Sequence, residues 1–280
     1  MNTCALCNNN QFKIVAKTFW TYQKCLYCSL VQVNPIPAQK RINMLYKGSY
    51  SKNYQPYQSQ LHAHENYFKL KIKQLKKHKQ KGTLLEIGCA LGTFMNIAKN
   101  AGYHVSGIDI SPYSALYCRK NNLRAKTGNI QTISKDKKYD IITAFDVLEH
   151  EINPIKTTLT IHQLLKIQGL FICSVPNYDS LTRYILRNKW FGFYDKEHLF
   201  YFNKNTLHTL LKKFGFSKIT ILKDDSRSYK LTYYLQRLNH YFFHSKLLNV
   251  CINILTRIPL INNIKIHFNA WGNIIAFAYK

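Results

Sequence analysis

The sequence predicts an α/β protein: a doubly wound, Rossmann-like sheet preceded by a small cysteine-bearing module. Three observations carry this. From Gly82 onward, short apolar runs alternate with helical segments. A glycine-bearing turn, "EIGCALG", joins one such run to a helix, and four cysteines before residue 30 form two Cys-x-x-Cys pairs. At 280 residues the chain holds one α/β domain of roughly 200 residues plus appendages.

Residues 1–34 form the first unit. They are β-flavoured ("FKIVAKTFW", "LVQVNP") and end at the breaker "NPIP". Cys4, Cys7, Cys25 and Cys28 follow the pattern Cys-x2-Cys-x17-Cys-x2-Cys, which lies in the zinc-ribbon range. Two residues between cysteines let a tight turn present both thiolates to one ion, and two such knuckles close a tetrahedron with no position open for catalysis. A structural zinc is expected here, replacing a core that ~30 residues cannot build alone.

Residues 35–81 read as a connector and basic helix. The connector holds tyrosines 46, 50, 54 and 57, of which Tyr50 is a candidate to face a cation with its ring. In "HENYFKLKIKQLKKHKQ", Tyr67, Phe68, Leu70, Ile72 and Leu75 recur with a loosely helical period. Lysines 69, 71, 73, 76, 77, 79 and 81 are expected on a solvated face.

Residues 82–225 carry the core. Strand "TLLEI" leads to helix "FMNIAKNAG", "HVSGIDI" to "PYSALYCRKN", "RAKTG" to a short loop, and "YDIITAF" to "KTTLTIHQLLK", before strands "GLFICSVP" and "SKITILK". Residues 226–280 contain no acidic residue, interleave aromatics with Lys and Arg as a helical lid would, and end in a last core strand, "GNIIAFAYK". The apolar stretch Leu247–Ile264 carries Arg257, Pro259 and four asparagines, so no transmembrane helix is expected there; an interfacial helix making peripheral contact with a membrane remains compatible with it.

The turn "EIGCALG" brings backbone close to a ligand at Gly88 and Gly92, with Cys89 and Ala90 between them. Two carboxylates discriminate among nucleotides. Glu86, two positions before the first glycine, suits a cationic amino or sulfonium group better than a pyrophosphate. Asp109, at the end of the next strand and followed by Ile110, can accept from ribose hydroxyls. Together they favour S-adenosylmethionine over a dinucleotide.

With those residues in place, the chain resembles a class I S-adenosylmethionine-dependent methyltransferase over about residues 82–222. "EIGCALG", "GIDI", "GNI" at Gly128–Ile130, "YDIITAFDVLEHEINP" and "LLKIQGLFICSVPN" follow the family's order. The resemblance implies a mostly parallel sheet with an antiparallel last strand, Asn129 and Ile130 near the adenine, and Asp146 at the cofactor edge. Ala90 and Asn129 replace the family's usual Gly and Asp. The zinc-ribbon start and "DKEHLFYFNKNTLHTLLKKFGF" are similar to bacterial enzymes that methylate sugars and other small metabolites.

Methyl transfer is an in-line displacement, so placing the acceptor supplies most of the catalysis, and a base is needed only where the acceptor loses a proton. His150, past the fourth core strand, and His198, in "KEHLFYF", are the candidate catalytic residues on the acceptor side. Each has a structural alternative: His150 as a loop cap, His198 packed among Phe200, Tyr201 and Phe202. Asp146, Glu149 and His150 also resemble the Glu-x-x-Glu-His of ubiquinone-biosynthesis O-methyltransferases, with which a divalent ion is associated. Carboxylates at such a turn more often serve the cofactor or a helix cap, so a catalytic metal is not the expectation.

With 46% hydrophobic and 14% aromatic residues, the chain is too apolar to be a disordered tail. Forty Lys and Arg against 13 Asp and Glu give +27, which attracts polyanions; the composition bias of an AT-rich genome would produce the same excess. The N-terminus shows no basic region followed by an apolar one, so a cytoplasmic location is expected. The leading expectation is O-methylation of a sugar or other small-molecule acceptor, anionic or lipid-linked acceptors included. RNA methylation comes second, and a non-catalytic zinc-ribbon binding protein on the same fold third.

Overall fold

The computed structural model describes residues 3–280 apart from 43, 45–60, 195, 225–228, 240–243, 263 and 267–271. Tyr50 and its neighbouring tyrosines lie outside the described residues. Strands β1 (Phe12–Lys17), β2 (Thr21–Cys25) and β3 (Val31–Val33) form an antiparallel meander. Helix α1 (Leu61–Lys76) leads into the core.

The core alternates as the pattern predicts. In order come β4 (Thr83–Ile87), α2 (Thr93–Asn100), β5 (His104–Asp109), α3 (Pro112–Lys120), β6 (Ala125–Thr127), β7 (Tyr139–Phe145), α4 (Pro154–Leu164) and β8 (Leu165–Val175). After α5 (Leu181–Leu186) and β9 (Phe200–Tyr201) come α6 (Lys204–Lys213) and β10 (Ser217–Lys223). A crossover of β11 (Tyr229–Lys230), α7 (Leu231–Leu238), α8 (Lys246–Arg257), α9 (Pro259–Asn262) and β12 (Lys265–Ile266) returns the chain to β13 (Ile274–Tyr279).

The seven-stranded sheet has the order β10-β13-β8-β7-β4-β5-β6. Strands β6, β5, β4, β7 and β8 run parallel, and β13 inserts antiparallel between β8 and β10. Because helices cover both faces, neighbouring apolar residues are buried on opposite sides. Leu84, Ile141 and Leu170 pack with Tyr67 and Phe68 of α1 and Phe94 of α2, whereas Leu85, Ile142 and Phe171 face α4 and α6. Local chemistry sets the helix starts: Ser111 accepts from the Ser114 amide before Pro112, and Asn153 accepts from the Lys156 amide before Pro154.

Two features depart from the sequence reading. Lys71 is not on a solvated face. It is buried and ion-paired with Asp224 just past β10, and the Tyr67 hydroxyl donates to the same carboxylate at 3.0 Å. An ammonium is kept out of water only where a carboxylate compensates it, and residue spacing along α1 cannot reveal a partner 153 positions away. In addition, the N-terminal sheet continues beyond residue 34. Strand β9 adds to β3, pairing Val31 with Tyr201 and Gln32 with Phe200, and the ribbon's Trp20, Tyr22 and Val33 join the same apolar core as the β-sheet.

Candidate functional site

A cavity of about 310 Å³ opens at the carboxyl edge of the parallel strands. The sheet order reverses between β4 and β7 there, and the chain leaves the two strands in opposite directions. Its floor is the turn after β4. Gly88 has φ +69°, and a Cβ there would stand 2.7 Å from Cγ2 of Val147, so only glycine fits. Ala90 accepts φ +44°, and its amide donates to Oδ2 of Asp109 at 2.8 Å.

The Ser111 amide donates to Oδ1 of Asp109 at 2.8 Å. Each carboxylate oxygen is thereby fixed and keeps a further acceptor position. Burial raises the Asp109 carboxyl above its usual range, opposed by the Ser111 and Ala90 amides. Glu86 is equally buried. Desolvation drives its carboxyl well upward, Cys118 and Asp109 add to this, and the Met95 backbone amide opposes it. Among the described residues Oε2 of Glu86 has no hydrogen-bond partner, and the side chain lines the cavity.

Cys89, Ile110, Asn129, Ile130 and Asp146 also line it. Gly92 does not, and its need for glycine has another cause. With φ +75°, a Cβ there would meet Cδ1 of Leu123 at 2.6 Å and Sγ of Cys118 at 2.9 Å, so it serves helix packing. Sequence reading missed the contributions of His64, Tyr67 and Phe68 from α1, and of Glu151 and Glu197. The described lining holds five acidic residues, Glu86, Asp109, Asp146, Glu151 and Glu197, and no Lys or Arg, in a chain with 40 basic residues.

The triplet Asp146, Glu149 and His150 does not act as one cluster. Asp146, at φ +54°, has its amide bound by the Ser174 carbonyl, and its Oδ1 accepts from the Ser174 hydroxyl at 3.0 Å and Asn273 at 3.2 Å. Glu149 and His150 instead meet His198: one ligand atom from each lies within 4.8 Å of the others. The His150 and His198 rings are 4.7 Å apart.

Hydrogen bonds assign the tautomers. Nδ1 of His150 lies 3.0 Å from the Glu197 carbonyl, which can only accept, so Nδ1 carries the proton and Nε2 is the basic nitrogen of the neutral ring. The Tyr201 hydroxyl donates to the Gly192 carbonyl, which leaves its oxygen to accept from Nδ1 of His198 at 3.4 Å. The ribbon fixes this second histidine. Tyr22 of β2 donates to the His198 carbonyl at 3.0 Å, and the Leu199 amide donates to the Glu149 carbonyl at 2.8 Å. His150 lines the cavity, and His198 stands behind it against Tyr201.

The four cysteines converge as their spacing predicts. Cys4 and Cys28 sulfurs are 3.4 Å apart, Cys7 and Cys25 sulfurs 3.6 Å, and all four lie within 4.8 Å of one another. A tetrahedron of thiolates with ~2.3 Å bonds to zinc has edges of about 3.8 Å, so the donor set fits that ion. The hydrogen bond from Cys28 holds the Cys4 thiol down to about 5, against desolvation.

The sheet order, the glycine turn and its two carboxylates define the class: an S-adenosylmethionine-dependent methyltransferase. The chain belongs to this family, since a family model described as "Methyltransferase domain" matches residues 57–221. Among curated relatives, the ubiquinone biosynthesis O-methyltransferase of Rickettsia prowazekii is 28% identical over 122 residues, 41% of this chain and 48% of that protein. The corresponding enzyme of Glaesserella parasuis is 32% identical over 106 residues, 34% of this chain and 45% of that protein. The chain thus spans about half the length of these relatives. An uncharacterized protein of Methanocaldococcus jannaschii is 28% identical over 62% of this chain and 86% of its own length.

Solved structures share the fold. A Thermotoga maritima protein described as a possible histamine N-methyltransferase superimposes with a TM-score of 0.55 at 14% identity, covering 85% of this chain and 99% of that one. Phosphoethanolamine N-methyltransferase 2 of Haemonchus contortus gives 0.56 at 15%, covering 89% and 62%.

Proposed function

We propose that this chain transfers the methyl group of S-adenosylmethionine to a hydroxyl of a sugar or related small metabolite. The observation that carries the reading is the buried pair Glu86 and Asp109, facing one cavity with an unpartnered carboxylate oxygen among the described residues. A buried carboxylate whose pKa is raised calls for a cationic partner, and the described lining offers no Lys or Arg. A ligand with an amino and a sulfonium group supplies that charge, whereas a pyrophosphate would be repelled. Asp109 holds the ribose and Asn129 the adenine edge.

On the acceptor side, His150 takes the proton that the hydroxyl gives up as its oxygen forms the new bond to carbon and the sulfonium leaves as a thioether. His198 positions His150. The same pair with Glu149 has the donor composition of a first-row divalent-cation site, a second reading that the 4.8 Å grouping favours. Chelation followed by added manganese or zinc separates the two: turnover unchanged supports the base alone, turnover lost on chelation and restored by the ion supports the cation. Residues 1–34 act as a zinc-held support for β9, 82–225 as the cofactor-binding core, and 226–280 as the lid.

The test is calorimetric titration of zinc-loaded protein with S-adenosylmethionine and with NAD. Binding of the former only, weakened in Asp109→Ala by about 10- to 100-fold as loss of charged hydrogen bonds predicts, supports the reading. Preference for NAD sinks it. Salt-sensitive RNA binding that displaces the small-molecule acceptor would favour RNA methylation instead.

A further inference from the structure

Helix α8 presents an apolar face to solvent. Leu247, Val250, Ile254 and Ile258, just past its end, are 75%, 54%, 54% and 40% exposed. At ~100° per residue these four fall within an arc of roughly 80°. The helix already buries a separate arc, since Ile252 is buried and Leu248 and Leu255 are half-buried. The exposed stripe is therefore additional apolar surface. Lys246 and Arg257 flank it, and Leu260, 82% exposed on α9, extends it.

We propose that this stripe is a docking surface for an anionic lipid bilayer, on which α8 lies in the plane of the headgroups. Aliphatic side chains enter the acyl boundary while Lys246 and Arg257 remain at phosphate level, the division that interfacial helices show. Charge identifies the occupant. The segment 226–266 that bears α8 contains six Lys and Arg (Arg227, Lys230, Arg237, Lys246, Arg257 and Lys265) and no acidic residue, in a chain of net charge +27. A second copy packed on the same stripe would oppose like charges. A nucleic acid would find few phosphate contacts and no aromatic ring in the stripe for a base to stack on.

The crossover bearing α8 is rooted at the site. Its near end is Asp224, whose amide binds the Asn273 carbonyl, and its far end is Asn273, which donates to Asp146. The segment bearing α8 therefore leaves and rejoins the core beside Asp146, a residue of the cavity lining. This extends the proposed function toward acceptors presented at a membrane surface, but does not depend on it.

Co-sedimentation of the full chain with vesicles tests the proposal. Vesicles of phosphatidylcholine alone are compared with vesicles containing one part phosphatidylglycerol to three of phosphatidylcholine. The expected result is binding to the anionic vesicles at least ~10-fold tighter than to neutral ones, reduced at least ~10-fold in Leu247→Glu/Ile254→Glu. Asn253→Glu, on the polar face, controls for added charge and should lose much less. Equal loss in the control, no anionic preference, or a concentration-dependent dimer abolished by the double variant would each overturn the proposal. S-adenosylmethionine titration of the same variants keeps this outcome separate from the cofactor reading, since α8 lies outside the described cavity lining.

Discussion

Glu86 and Asp109, the proposed cofactor carboxylates, belong to residues 86–111, one strand-turn-helix-strand unit, whereas Glu149, His150 and His198, the proposed acceptor side, come from segments that the ribbon sheet helps hold together. At the first end, backbone amides of the same unit fix Asp109. At the second, His198 depends on Tyr22 and on the pairing of β3 with β9. The comparison teaches that the proposed cofactor contacts and the proposed acceptor-side histidines have separate structural supports. They should fail separately.

The largest effect is expected at His150. With His150→Ala, kcat should fall ~10²- to 10⁴-fold, the usual worth of a general base, while S-adenosylmethionine affinity measured by calorimetry is retained. An equal loss of both would mean that the two ends are one unit.

Next comes the ribbon. Cys25→Ser/Cys28→Ser removes two of the four proposed zinc ligands and should release the sheet that places His198, so turnover should fall about 10- to 100-fold, as for lost positioning contacts. Cofactor affinity should change much less, because no residue of the turn after β4 belongs to that sheet. Zinc content and turnover measured together check this; full activity in a zinc-free variant would break the comparison.

Glu86→Gln sharpens it with the smallest effect. Burial raises the Glu86 carboxyl, so the folded chain pays for the ionised form above that raised value and pays nothing once pH falls below the unfolded value. The apo variant should therefore melt at a higher temperature than the native chain near neutral pH. Its affinity for S-adenosylmethionine should be about 10-fold weaker. Native affinity should decline with falling pH at a higher pH than an ordinary carboxylate would produce, and the variant should keep only the part of that decline that Asp109, also raised by burial, contributes. Thermal melts and calorimetry across the pH range decide it.

Much of the fold was legible because its signals are local. Strands "TLLEI", "YDIITAF" and "SKITILK" coincide with β4, β7 and β10. Helix starts fall one or two residues earlier than read where Asn153 with Pro154 and Gly92 set the boundary. Lys71 shows the limit, since a lysine among lysines reads as solvated until its partner Asp224 is brought beside it. Asp146 shows the same limit at the site: three residues in one motif look like one cluster until Ser174 and Asn273 claim the first of them.

The sequence by itself determined the alternating core, the cysteine spacing, the glycine turn and the paired carboxylates Glu86 and Asp109, because each follows from periodicity or from geometry within a few residues or one βαβ unit. Only the tertiary structure decided that His198 joins His150, that Lys71 is buried against Asp224, and that the ribbon's sheet ends in β9. Those contacts join residues far apart in the chain, and long-range strand pairing and burial, which no local pattern encodes, select among the partners a residue could have.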